Sequence, residues 1–128
     1  MGRIAVTAGA IIAVLLLAQS AAAAAGDDAA AKQSDAAYQQ LTAGQTDEAI
    51  AHLEAELARN PDDPALLINL GTAYFRANRI EESRDAFRRA AASEQRYSVE
   101  LADGSWEDSH KVARRALESV DRAVLAAK

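Results

Sequence analysis

Residues Pro64–Ala92 read PALLINLGTAYFRANRIEESRDAFRRAAA. Asp63 precedes the stretch as a helix N-cap, and Pro64 suits the first helical position, where its missing N–H costs nothing. The spacing predicts a helix over Pro64–Ala77. Asn78 then fills a position that calls for left-handed backbone, which Asn tolerates better than most residues. A second helix, Arg79–Ala92, follows with Ile80, Ala86, Phe87 and Ala90 on its apolar side. Within the first helix, Leu67, Leu70, Gly71 and Tyr74 fall at the offsets L-x2-L-G-x2-Y.

Upstream, a related pattern recurs. A step of about 34 residues carries Leu41 to Phe75, Gly44 to Asn78, Glu48 to Glu82, Ala49 to Ser83, Leu53 to Phe87 and Ala58 to Ala92. A helix is predicted from about Ala31 to Ala43, ended by Gly44. Thr46 is placed to cap the next one, whose stripe is Ala49, Ile50, Leu53 and Leu57. Pro61 stops it near Arg59 and biases Asn60 away from helical angles. The copy is partly eroded. Ala36, Ala37 and Gln40 stand where Leu70, Gly71 and Tyr74 stand later, and Gln95 stands where Pro61 would repeat.

The L-G-x2-Y core, Phe87, Ala90 and the repeat period together resemble the tetratricopeptide repeat, a helix–turn–helix unit of about 34 residues. The resemblance covers 30–95, with a degenerate unit at about 30–63 and a well-formed one at 64–95. It implies an all-α array of two units that binds a protein or peptide. In that family the first helix of each unit lines a concave groove. By position, Ala65, Ile68, Asn69, Thr72, Phe75 and Arg76 would line it in the second unit, and Ser34, Tyr38 and Leu41 in the first. Tyr38, Leu41, Ile68 and Phe75 would be apolar anchors. Asn69 would hydrogen-bond a peptide backbone, and Arg76 would pair with an acid. Asn69 matches the Asn of carboxylate-clamp members, but the Lys–Asn pair of the preceding unit is absent, which argues against recognition of a C-terminal carboxylate.

The N-terminus has a different character. Arg3 is followed by Ile4–Ala18, an uncharged run of Ile, Val, Leu and Ala, and then by overlapping A-x-A sites in Ala21–Ala25. This is the layout of a secretory signal peptide over residues 1–25. The run is roughly 15 residues, short of the ~20 that span a bilayer. Its apolar side chains cover every side of a helix, unlike a surface helix of a small domain. The expectation is an exported chain, periplasmic or secreted and without a membrane segment after cleavage. Retention as an inner-membrane anchor is the alternative.

Downstream, Tyr97, Val99 and Leu101 alternate with polar residues, and Asp103-Gly104 is a hairpin turn signal. The rival reading is an extended loop. A hairpin here would need Tyr97 and Trp106 to pack it on the helices. Ser105-x-x-Asp108 resembles a capping box, with Ser109 as another cap. The last helix, to about Ala126, carries Val112, Ala116, Val120 and Val124 on a narrow stripe. It suits a cap over the open end of the array, so 96–128 reads as hairpin or loop plus capping helix.

Composition excludes several functions. The 128 residues contain no cysteine, so no disulfide framework or thiolate metal site exists. The formal net charge is −5, which gives no drive toward nucleic acid. The basic clusters Arg84–Arg88–Arg89 and Arg114–Arg115 read as solvated helix faces. His52, flanked by Glu48 and Glu56, and His110 are isolated on helix surfaces, and no nucleotide-binding, zinc or calcium spacing occurs. Neither an enzyme nor a cofactor is indicated. The reading is a non-catalytic scaffold or adaptor, with self-association through the open repeat end as a further alternative.

Overall fold

A computed structural model of the protein describes residues 39–128 apart from Ala102. The signal-like segment, Ser34, Tyr38 and most of the helix predicted from Ala31 lie outside the described residues. After a helical turn at 39–42 come α1 (Thr46–Arg59), α2 (Pro64–Arg76) and α3 (Ile80–Ala92). A hairpin of β1 (Ser98–Glu100) and β2 (Trp106–Asp108) leads into α4 (Ser109–Ala126). The helices form an antiparallel array, with α2 against α1, α3 and α4, and α4 against α3.

Backbone chemistry explains the boundaries. Gly44 at φ +80° and Asn78 at φ +60° turn the chain between paired helices, the conformation L-residues avoid unless small or able to bond locally. Asp63 caps α2: Oδ1 accepts from Ala65 N at 2.9 Å and Leu66 N at 3.3 Å. Thr46, expected as the cap of α1, is instead its first helical residue. Gln45 occupies the cap position and makes no side-chain cap bond. The capping box expected from Ser105 is also corrected. Asp108 is the N-cap of α4, its Oδ1 accepting from Lys111 N at 3.1 Å, while Ser105 bonds Asp103.

The core runs through all four helices. Leu53, Leu57, Leu67, Leu70, Phe87, Val112 and Val120 are buried in one cluster, with Ala49, Ala86, Ala90 and Ala113 letting the helices approach closely. α2 is buried from Pro64 through Tyr74. It carries one charged residue, Arg76 at its end, and a helix apolar all round is an interior helix. Gly71 meets the Phe87 ring: a Cβ there would stand 2.7 Å from Phe87 Cε1. Beside it, Ser83 is fully buried and donates to the Gly71 carbonyl at 2.7 Å.

The Tyr97–Trp106 segment is a hairpin rather than a loop. β1 and β2 are antiparallel, with Val99 opposite Glu107, and Gly104 takes φ +82° in the turn. Trp106 does not pack it down, being 52% exposed; Val99, fully buried, does so with half-buried Tyr97. The reason is strand parity. Side chains alternate across a strand, so Val99 points to the helices and its neighbours Ser98 and Glu100 point away. Trp106 lies opposite Glu100 and shares its outward side.

Candidate functional site

The groove face predicted on α2 is closed. Ile68, Asn69 and Thr72 are buried, as is Leu41 in the preceding helical turn. Thr72 Oγ1 donates to the Ile68 carbonyl at 3.0 Å instead of facing a ligand. Phe75 and Arg76 remain half-exposed, but an Arg76 Nη1 hydrogen bond reaches the Leu41 carbonyl, so this guanidinium holds the preceding helix end against α2. Position along the helix placed these residues on one face. What it missed was that this face of α2 is nearly as apolar as the opposite one, and only Arg76 is charged.

The open concavity lies on the other side of α2. Leu70 and Tyr74 are roughly half a turn of helix from Ile68 and Thr72 at 3.6 residues per turn. They form the floor of a cleft of about 630 Å³ whose walls are α1 and α3. Leu57 and Ala86 complete the buried floor, and Ala58 and Pro61 close one end of it. The rim carries Glu54 from α1 and Glu81, Glu82 and Asp85 from α3, with Arg89 among them and Arg79 over the Tyr74 ring. Glu81 and Glu82 suit the helix dipole, which favours carboxylates in a first turn.

Local contacts set the charge of each rim group. Tyr74 Oη donates to Glu54 Oε1 at 2.6 Å, and burial together with this bond pushes the phenol pKa up to about 12. The Arg79 guanidinium lies 4.6 Å from the centre of the Tyr74 ring and pairs with Glu82, holding that carboxyl below its usual range. Glu81 pairs with Arg84 at 2.9 Å, and Arg84 also reaches Asp121 at 2.6 Å, linking α3 to α4. Arg89 donates to the Pro61 carbonyl at 3.1 Å. Among the described residues, Asp85 makes no ion pair. A cleft so built can hold an apolar side chain below and basic groups above.

The other candidates are structural. His52 Nδ1 lies 2.9 Å from Gln40 Oε1, and His110 Nε2 lies 3.3 Å from the Gln95 carbonyl. Among the described residues, no group of three or more His, Asp or Glu side chains is placed to hold a metal ion. The Tyr97 hydroxyl donates to Asp63 Oδ1, and burial followed by that bond raises its pKa. This pair fastens the hairpin to the start of α2.

A family model for the tetratricopeptide repeat matches residues 34–97. The match spans both helix pairs as far as the hairpin and takes in half of the chain. The protein belongs to the tetratricopeptide repeat family. Searches of curated proteins and of solved structures return no match. Tetratricopeptide repeats are in general protein–protein interaction modules and are typically non-catalytic. The cleft between α1 and α3 is an open surface of this repeat protein that offers both apolar floor and charge.

Proposed function

We propose that this repeat protein is an exported, non-catalytic adaptor that binds another polypeptide in the α1–α3 cleft. The observation that carries the reading is the cleft itself: exposed carboxylates on two helices above a floor of Leu57, Leu70, Tyr74 and Ala86. Apolar anchoring with a polar rim is the ordinary anatomy of a protein-binding surface. Export rests on the Arg3, Ile4–Ala18 and Ala21–Ala25 pattern of the sequence. Among the described residues, no helix is long and apolar enough to cross a membrane.

A photo-crosslinking residue placed at Ala58, on the α1 wall, tests the site, with Ser105 in the hairpin turn as control. Cross-linking to polypeptide from position 58 and not from position 105 is expected in the exporting cell. Equal capture at both positions, or none at 58, overturns the cleft assignment. Mass spectrometry of the same material reads its N-terminus, and an intact Met1 would defeat the cleaved-signal reading.

A further inference from the structure

The outer face of α4 is the charge complement of the cleft. Lys111, Arg114, Arg115, Glu118, Arg122 and Leu125 recur at helical spacing along one exposed stripe. Four are basic and one is acidic. Among the described residues Lys111 and Arg114 make no ion pair. Arg115 pairs with Glu107 at 2.5 Å, and Arg122 donates to Ser119 Oγ at 3.2 Å. Leu125, 70% exposed, is the large apolar side chain on this ridge.

We propose that the α1–α3 cleft of one copy receives the basic ridge of α4 from a second copy. Leu125 would lie over Leu57, Leu70 and Tyr74. Lys111, Arg114 and Arg122 would face Glu54, Glu81, Glu82 and Asp85. The two surfaces are different parts of the molecule, since the cleft is walled by α1 and α3 and the ridge is the solvent side of α4. The contact is therefore heterologous, running head to tail rather than about a two-fold axis. After pairing, one copy keeps a free ridge and the other a free cleft, so chains longer than two can form. The proposal rests on the reading of the cleft as a polypeptide site and names its occupant.

Sedimentation of the protein purified from its expression host tests it. The weight-average mass rises between about 5 and 500 µM by mass action. Association weakens at least tenfold between about 0.05 and 0.5 M salt, because exposed charges are screened. Two variants then isolate the surfaces. Ala58→Lys with Asp85→Lys alters only the cleft. Lys111→Glu with Arg114→Glu alters only the ridge. All four positions are exposed and outside ion pairs, and circular dichroism checks that both variants fold. Each variant alone is monomeric. Their equimolar mixture forms a 1:1 dimer and nothing larger, because one intact ridge meets one intact cleft. A native chain monomeric over the whole range overturns the proposal, as does a mixture that stays monomeric or a variant that still dimerises alone. Cross-linking from position 58 to a different polypeptide, with a monomeric native chain, would retain the binding site and reject the second copy as its occupant.

Discussion

The two helix pairs solve the same problem with different side chains. Unit two has Gly71 against Phe87, and by the repeat offset the sequence of unit one carries Ala37 and Leu53 at the corresponding positions. Phe87 fills the space beside Gly71 so closely that a methyl group would collide with its ring. A smaller residue at position 87 would remove the need for glycine at position 71. Entry to the helices differs as well. α2 begins on a bonded Asp63 cap, whereas α1 begins on Gln45 with no side-chain cap bond. Even the tie to α1 differs: Tyr74 reaches Glu54, while Gln40, its counterpart by offset, meets His52. The L-x2-L-G-x2-Y signature is thus a set of matched pairs, and a unit that lost one member could lose the other without losing the helix crossing.

The largest expected effect comes from breaking the Gly71–Phe87 match. Gly71→Val should cost about 3 kcal/mol, since overpacking a filled core displaces neighbours. Gly71→Ala isolates the cause. Helix propensity favours Ala by about 1 kcal/mol, yet a net loss of about 1–2 kcal/mol is expected from the contact with a buried ring. Adding Phe87→Leu gives the Ala and Leu that the sequence of unit one carries at these offsets. In urea melts the double variant should cost less than the sum of the singles by about 1 kcal/mol. Plain additivity would show that Phe87 is not what demands glycine.

A smaller effect separates the two caps. Asp63→Ala removes an acceptor from Ala65 N, Leu66 N and the Tyr97 hydroxyl and should cost about 2 kcal/mol. Gln45→Ala should stay within about 0.5 kcal/mol, as surface changes away from such contacts do. Equal losses in thermal melts would remove the distinction.

The smallest concerns Tyr74 and its absence from unit one. Its folded pKa, about 12, stands above the ordinary tyrosine value of 10.0. The folded state therefore holds this proton where the unfolded chain has released it. The associated stability is complete below pH 10 and is lost as pH rises from 10 toward 12. Tyr97 shifts in the same direction, so the comparison is with Tyr74→Phe, whose stability should fall less steeply between pH 10 and 11.5. Identical slopes would mean that burial and the Glu54 contact together do not hold the proton.

Much of the architecture was legible because local signals agreed. Asp63-Pro64, Asn78 and Asp103-Gly104 each act through their own backbone, so they mark boundaries without knowledge of the fold. Two kinds of information were not local. Ser83 stands by offset where Ala49 stands, but its hydroxyl bonds a carbonyl of another helix. The groove face of α2 looked available because helical spacing says which residues share a side, not what covers that side. The absence of charge between Pro64 and Phe75 was the signal for burial. Likewise the cleft draws on α1, α2 and α3 together, and no stretch of sequence contains it.

The loop at 60–63 and the segment at 89–97 are joined along their length. Arg89 donates to the Pro61 carbonyl, Ser93 Oγ to the Asp62 carbonyl at 2.5 Å, Glu94 N to Asp62 Oδ2 at 3.1 Å, and Gln95 Nε2 to Asn60 Oδ1 at 3.0 Å. In long solenoids each repeat can open by itself, because it touches only its neighbours. Here the exit of the second unit is stitched to the exit of the first. Neither can fray without releasing the hairpin anchored on Asp63. Amide hydrogens in α1, α2 and α3 should therefore exchange through one shared opening event, and the described part of the chain should melt as one cooperative unit.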